Sequence, residues 1–187
     1  MRPFIVVQGP IATRSGYGNH TRDLVISLIN ANKYDIDIIS LPWGNTAMNA
    51  LQSDNKDHVE IAKRIVRQNI TKKPDIFIQV SVANEFKAAG KYNIGITAGV
   101  ETNAVPHEFI IGSNNMDLII TTSEHSKNGF KVVYDKFDKN TKQKIGVLKL
   151  EKPIQVLLEG LNLDTYHKIQ KFDTKKSLLK EVNEDFC

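Results

Sequence analysis

Gly16-Tyr17-Gly18-Asn19-His20-Thr21-Arg22 sets two glycines, an imidazole and a guanidinium close together, just after the apolar run Phe4–Gln8. Glycines admit a ligand close to the backbone and tolerate positive φ. A helix opening at such a point offers free N–H groups and the positive end of its dipole to an anion. His20 can exchange a proton near neutral pH. Arg22, together with Arg14, can fork onto a diphosphate, or Arg22 can pair locally along the helix. Tyr17 and Trp43 offer aromatic faces for stacking. Further along stand Glu101, Thr102 and His107, in the segment Thr97–Glu108, and Ser123, Glu124 and His125, in Thr121–Lys127. Carboxylates and imidazoles of this kind suit general acid–base work.

The glycine loop is not a P-loop, because no Gly-Lys-Ser/Thr follows. It is also a poor dinucleotide fingerprint, since Thr21 stands where a third glycine would fall. A ligand-binding loop and a simple turn are both open readings of it. No His/Cys/Asp cluster has metal-ligand spacing, so no metal site is expected.

These residues need elements to position them, and the pattern predicts strands alternating with helices. A strand at Phe4–Gln8 leads to a helix over Asn19–Asn30, capped by Asn19, with Leu24, Val25, Leu28 and Ile29 inward. A strand at Asp35–Ser40 and a polar loop at Leu41–Asn55 follow. A helix over Asp57–Asn69 carries Val59, Ile61, Ala62, Ile65 and Val66 on one side. Strands are expected at Asp75–Val80, Tyr92–Thr97, Asp117–Thr122 and Ile154–Leu158. Pro106 starts a helix ending near Asn114-Asn115. Ser123 caps another, running to about Tyr134. A lysine-rich excursion, Asp138–Lys152, holds a small hairpin through Ile145–Lys149. The fold class is α/β: a Rossmann-like doubly wound, mostly parallel sheet with helices on both faces.

The 187 residues suit one domain, or one domain and part of another. We divide them into a Rossmann-like domain over residues 1–165 and a linker helix opening a further unit over residues 166–187. The helix Asp173–Asn183, with Leu178, Leu179 and Val182 inward, runs into what reads as the first residues of a strand at Glu184–Cys187. The composition is 41% hydrophobic and 25% charged, ordinary for a soluble domain. No run is apolar enough for a membrane span, and the N-terminal apolar stretch is too short for a signal peptide. The only cysteine is Cys187, which fits a reducing, cytoplasmic compartment. The net charge is +4 and the excess lies late, in lysines between Lys136 and Lys176. Few aromatics interleave with them, which argues against a nucleic-acid stacking platform; a solvated surface and an anionic partner are both open.

Four segments share one sheet edge: the glycine loop; Glu101-Thr102-Asn103-Ala104-Val105-Pro106; Asp117 through Ser123-Glu124; and Gly160-Leu161-Asn162-Leu163-Asp164. In order and spacing they resemble the N-terminal half of GT-B glycosyltransferases, close to the group-1, family 4-like retaining enzymes. The chain departs from that pattern in Ala98-Gly99-Val100, which is not aromatic-rich, and in His107 after Pro106.

The resemblance implies an acceptor-side domain of an enzyme that moves a sugar from a nucleotide-sugar donor to a hydroxyl acceptor. No cofactor would be permanently bound. The leaving diphosphate would be stabilised by helix N-termini and basic side chains, and most donor contacts would come from a second, C-terminal domain. Glu101 falls at or beside the family's cleft acid, where it can orient an acceptor hydroxyl or stabilise positive charge on the sugar. His20 is the second catalytic candidate. Gly16, Tyr17, Gly18, Arg22, Trp43, Thr102, His107, Ser123 and Glu124 are the expected substrate-binding residues. The 187-residue chain alone is expected to be inactive, and Asp173–Cys187 to dock loosely or mediate self-association. The rivals are a dinucleotide-binding Rossmann domain and a non-catalytic binding module. Ser40-Leu41-Pro42 ends the second strand, where a dinucleotide fold would place an acid for the ribose.

Overall fold

A computed structural model describes residues 2–66, 70, 72–138 and 140–160. In chain order its elements are β1 (Phe4–Gly9), α1 (Gly16–Ala31), β2 (Asp35–Ser40), α2 (Lys56–Ala62), β3 (Ile76–Val80), β4 (Tyr92–Thr97), α3 (His107–Ser113), β5 (Leu118–Thr121), α4 (Glu124–Gly129), β6 (Tyr134–Phe137), β7 (Lys144–Leu148) and β8 (Ile154–Val156). A single 3-10 turn, Ala83–Glu85, lies between β3 and β4. The expected division at residue 165, and the expected helix over Asp173–Asn183, lie outside the described residues.

Six strands form one parallel sheet in the order β2-β1-β3-β4-β5-β8. Its central strands are apolar runs: Ile5, Val6 and Val7 in β1 and Phe77, Ile78 and Val80 in β3 are buried. Such runs belong in a sheet covered on both faces. The fold is therefore α/β and Rossmann-like. One more pairing completes the order. Ile65 bridges to Ile38 on the outer edge of β2, with Ile38 N–H donating to Arg64 O (2.9 Å) and Val66 N–H donating to Ile38 O (3.0 Å). Counting that bridge as a strand, the sheet reads 3-2-1-4-5-6-7, the dinucleotide-fold order with one strand added. The order reverses between β1 and β3, and ligands of open parallel sheets gather outside the carboxyl ends at such a point.

Two apolar clusters hold the layers. One joins Ile5, Val7, Ile11, Val25, Ile38, Ile61 and Val80 on the α1 side. The other joins Phe86, Val105, Ile110, Met116, Ile119 and Phe130 under α3 and β5.

Three expected boundaries are corrected. α1 begins at Gly16 rather than Asn19, because the Ser15 hydroxyl caps it by accepting from Gly18 N–H (3.0 Å). α2 stops at Ala62 rather than Asn69. Ile65 and Val66 have β-branched side chains, and their backbone pairs with the otherwise open edge of β2. α4 ends at Gly129 rather than Tyr134; Phe130 turns into the core and Tyr134 opens β6.

The amino edge of the sheet is a stabilising edge. Asn93 is buried. Its Oδ1 accepts from Ala89 N–H (2.9 Å) and Gly90 N–H (2.8 Å), while its Nδ2 and backbone N–H donate to Asp117 Oδ2 (2.9 and 2.8 Å). Replacing Asn93 with Leu leaves two N–H groups unpartnered and is expected to cost about 2–3 kcal/mol in denaturant unfolding. The Asn93 side-chain and backbone N–H groups hold the Asp117 carboxyl below the usual range. Lys91 and the Phe4 N–H do the same for Asp75. A carboxyl whose folded pKa is depressed contributes stability above its unfolded pKa of about 3.9 and loses it as pH falls through the folded value. Asp117→Asn should therefore flatten the loss of stability on the acid side of pH 4 or so, read from denaturation midpoints across an acid series.

Candidate active site at the carboxyl edge

The chain from Pro10 to Ser15 is a tight loop. Thr13 N–H and Oγ1 both donate to Pro10 O (2.9 and 2.8 Å), and Ile11 N–H donates to Gly9 O (2.9 Å). Arg22, only 8% exposed, reaches back from the second turn of α1. Its Nη1 donates to Ile11 O (2.6 Å) and Thr13 O (2.9 Å), and its Nη2 to Asn19 Oδ1. Gly18 lies directly under the loop. A Cβ there would sit 2.7 Å from Thr13 Oγ1 and 2.9 Å from Pro10 O. The loop from residue 41 to 55 is tied alongside, through Arg14 N–H to Ala47 O (3.2 Å) and Ala50 N–H to Ala12 O (3.0 Å).

Tyr17 pins three segments together. Its ring stacks on Trp43, with centroids 4.4 Å apart. Its hydroxyl accepts from Ala98 N–H (3.0 Å) and shares a hydrogen bond with Thr97 Oγ1 (3.1 Å) at the end of β4. The chain then turns at Gly99, whose φ of +85° favours glycine and where a Cβ would lie 2.7 Å from the Ser126 Cβ. Ser126 Oγ donates to Ala98 O (2.6 Å), fixing α4 against the same turn.

Beside α1 opens a polar cleft of about 940 Å³. Its walls include Gly16, His20 and Asp23 of α1, Gln52 and His58 around the start of α2, and Glu159 beyond β8. His20 Nδ1 lies 3.6 Å from Glu159 Oε1, an ion-pair rather than a hydrogen-bond separation. His58 Nδ1 accepts from Gln52 N–H (3.1 Å), so its neutral ring carries the proton on Nε2. Burial, and then the charge of Arg22, lower the His58 pKa. Burial raises the Asp23 carboxyl, against the attraction of Arg22 and His20. The cleft thus combines two imidazoles with three carboxylates, Asp23, Asp57 and Glu159, a set able to take or give a proton and to bond hydroxyl groups.

The expected residues divide. Gly16 and His20 line the cleft. Tyr17 and Trp43 meet each other. Arg22 borders the cleft and donates to the loop carbonyls Ile11 O and Thr13 O and to Asn19 Oδ1, the local pairing that was one of its two open readings. Arg14 also borders the cleft; it is exposed, with its Nε donating to Asn49 Oδ1 (2.8 Å). Neither Gly16 nor Gly18 has positive φ, so the close approach at Gly18, not its dihedral, requires glycine.

The remaining candidates are not among the cleft-lining residues. Glu101 and Thr102 are exposed, with Thr102 Oγ1 donating to Ala104 O (3.0 Å). His107 is exposed beside Glu108 (3.3 Å). The Ser123 hydroxyl caps α4 by accepting from Ser126 N–H (3.1 Å). Glu124 is exposed, 3.7 Å from Lys127. Asp23, Gln52, His58 and Glu159 belong to the cleft and were not singled out from the sequence. In the sequence Glu159 directly follows the expected last strand, Ile154–Leu158.

No family model, curated protein or solved structure matches this chain.

Proposed function

We propose that the chain forms the acceptor-side domain of a glycosyltransferase and that His20 is its proton acceptor. The reading rests on one observation: His20 stands in the wall of a polar cleft at the carboxyl edge, 3.6 Å from the Glu159 carboxylate that can orient it. In this role His20 takes the proton of an acceptor hydroxyl. The acceptor oxygen bonds to the sugar carbon, and the bond to the nucleoside diphosphate breaks with its electron pair on the leaving oxygen. Asp23, Gln52 and His58 bond other hydroxyls of the acceptor. Arg22 is held by the loop carbonyls and Arg14 borders the cleft, and the proposal gives no role here to a dinucleotide. Glu101, outside the cleft lining, is assigned no step.

The test is saturation-transfer NMR of the 187-residue chain against a panel of neutral saccharides, nucleotide sugars and dinucleotides. Saccharide binding should weaken about tenfold in His20→Ala, the loss of roughly 1.4 kcal/mol of interaction. It should weaken less in Glu159→Gln. Binding of a dinucleotide without any saccharide, or saccharide binding indifferent to both variants, would overturn the proposal.

A further inference from the structure

We infer that the β6–β7 hairpin is a docking surface for an anionic lipid bilayer, independently of what the cleft binds. The hairpin stands apart from the main sheet, pairing Tyr134 with Leu148 and Asp135 with Val147. Its inner side is anchored: Tyr134 and Leu148 pack on the second core cluster, and Tyr134 OH donates to Val105 O (2.6 Å). Its outer side is uncovered. Val133, Phe137, Ile145 and Val147 are 44–67% exposed, an unusual group for so short a ribbon.

Charge identifies the occupant. Residues 131–152 hold seven lysines against three acids, a net +4, which is the net charge of the entire chain. Two of the acids have partners nearby. Asp135 pairs with Lys144 (2.6 Å). Asp138 is turned into its own loop, where it accepts from Asn140 and Thr141 N–H (2.9 and 2.7 Å). Lys131, Lys136, Lys142 and Lys149 are exposed and make no ion pair among the described residues.

Exposed apolar side chains with exposed lysines close by in the chain match the boundary of an anionic membrane, where the apolar groups enter the acyl edge and the ammonium groups meet lipid phosphates. A second copy of this chain would bring like charges face to face. A nucleic acid would satisfy the lysines and leave the apolar side chains in water, and the hairpin has only Phe137 as an outward aromatic to stack on a base.

The experiment is co-sedimentation of the full 187-residue chain with vesicles of phosphatidylcholine alone or mixed with phosphatidylglycerol. The protein should partition onto the mixed vesicles only, and more weakly as salt is raised. Lys136→Gln and Lys142→Gln should each lower the partition coefficient about fivefold. Phe137→Ser combined with Ile145→Ser should lower it about tenfold or more. All of these changes are at exposed positions, and circular dichroism should show the fold unchanged. Failure to bind mixed vesicles would overturn the inference. So would binding that ignores the hairpin substitutions, self-association abolished by Phe137→Ser in place of lipid binding, or capture by a polyanion that is insensitive to Phe137→Ser/Ile145→Ser.

Discussion

Arg22→Ala is expected to destabilise the domain by about 3–4 kcal/mol, a large share of the roughly 5–15 kcal/mol that holds a domain of this size together. The guanidinium is buried and satisfies two loop carbonyls, Ile11 O and Thr13 O, as well as the Asn19 side chain. Alanine leaves those acceptors without donors and opens a cavity beneath the loop. Arg22→Lys should recover little, because a compact ammonium cannot span three acceptors held by a planar fork. Urea unfolding of the three proteins measures this directly. If Arg22→Ala unfolds at the wild-type midpoint, the residue is not the staple of the loop, and its donors are free for a ligand after all.

A contrast between neighbouring glycines is the second large expectation. Gly18→Val should be severely destabilising, by about 3 kcal/mol or more, because the new side chain must displace the Pro10–Thr13 backbone to fit. Gly16→Val should leave stability within about 1 kcal/mol, since nothing lies within 4 Å of a Cβ at that position. Gly16 nevertheless borders the cleft. On the proposed function, a valine there narrows the approach to the first turn of α1 and weakens saccharide binding without unfolding the chain. Thermal melts of both variants, run beside the NMR binding assay, separate the two effects. Equal melting temperatures for Gly16→Val and Gly18→Val would contradict the packing argument.

The contrast shows why one loop carried two meanings in the sequence. Two glycines separated by a single residue look alike in composition. One serves the packing of loop on helix and the other lies open beside a cleft. That difference depends on where Thr13 and Pro10 come to rest. It follows from the folded loop, not from a local rule.

What the sequence determined by itself was the class of fold and most of its strands. Runs such as Ile5-Val6-Val7 and Phe77-Ile78 are too uniformly apolar for anything but a covered sheet, and their alternation with helical spacing leaves a parallel order as the simple solution. It also marked the carboxyl edge, because Gly16 and Ser123 sit at strand-to-helix junctions that local chemistry specifies. Tertiary structure decided the remainder. Ile65 and Val66 continue a helical pattern in sequence, yet the unpaired edge of β2 offers their backbone hydrogen bonds that a helix end does not. Arg22 had the chemistry of a phosphate ligand until Ile11 O and Thr13 O were brought to it. His20 and Glu159 are separated by most of the chain, and His58 by a further loop. Their meeting in one cleft depends on crossovers, whose geometry is set by packing across the whole sheet and leaves no periodic trace in the residues themselves.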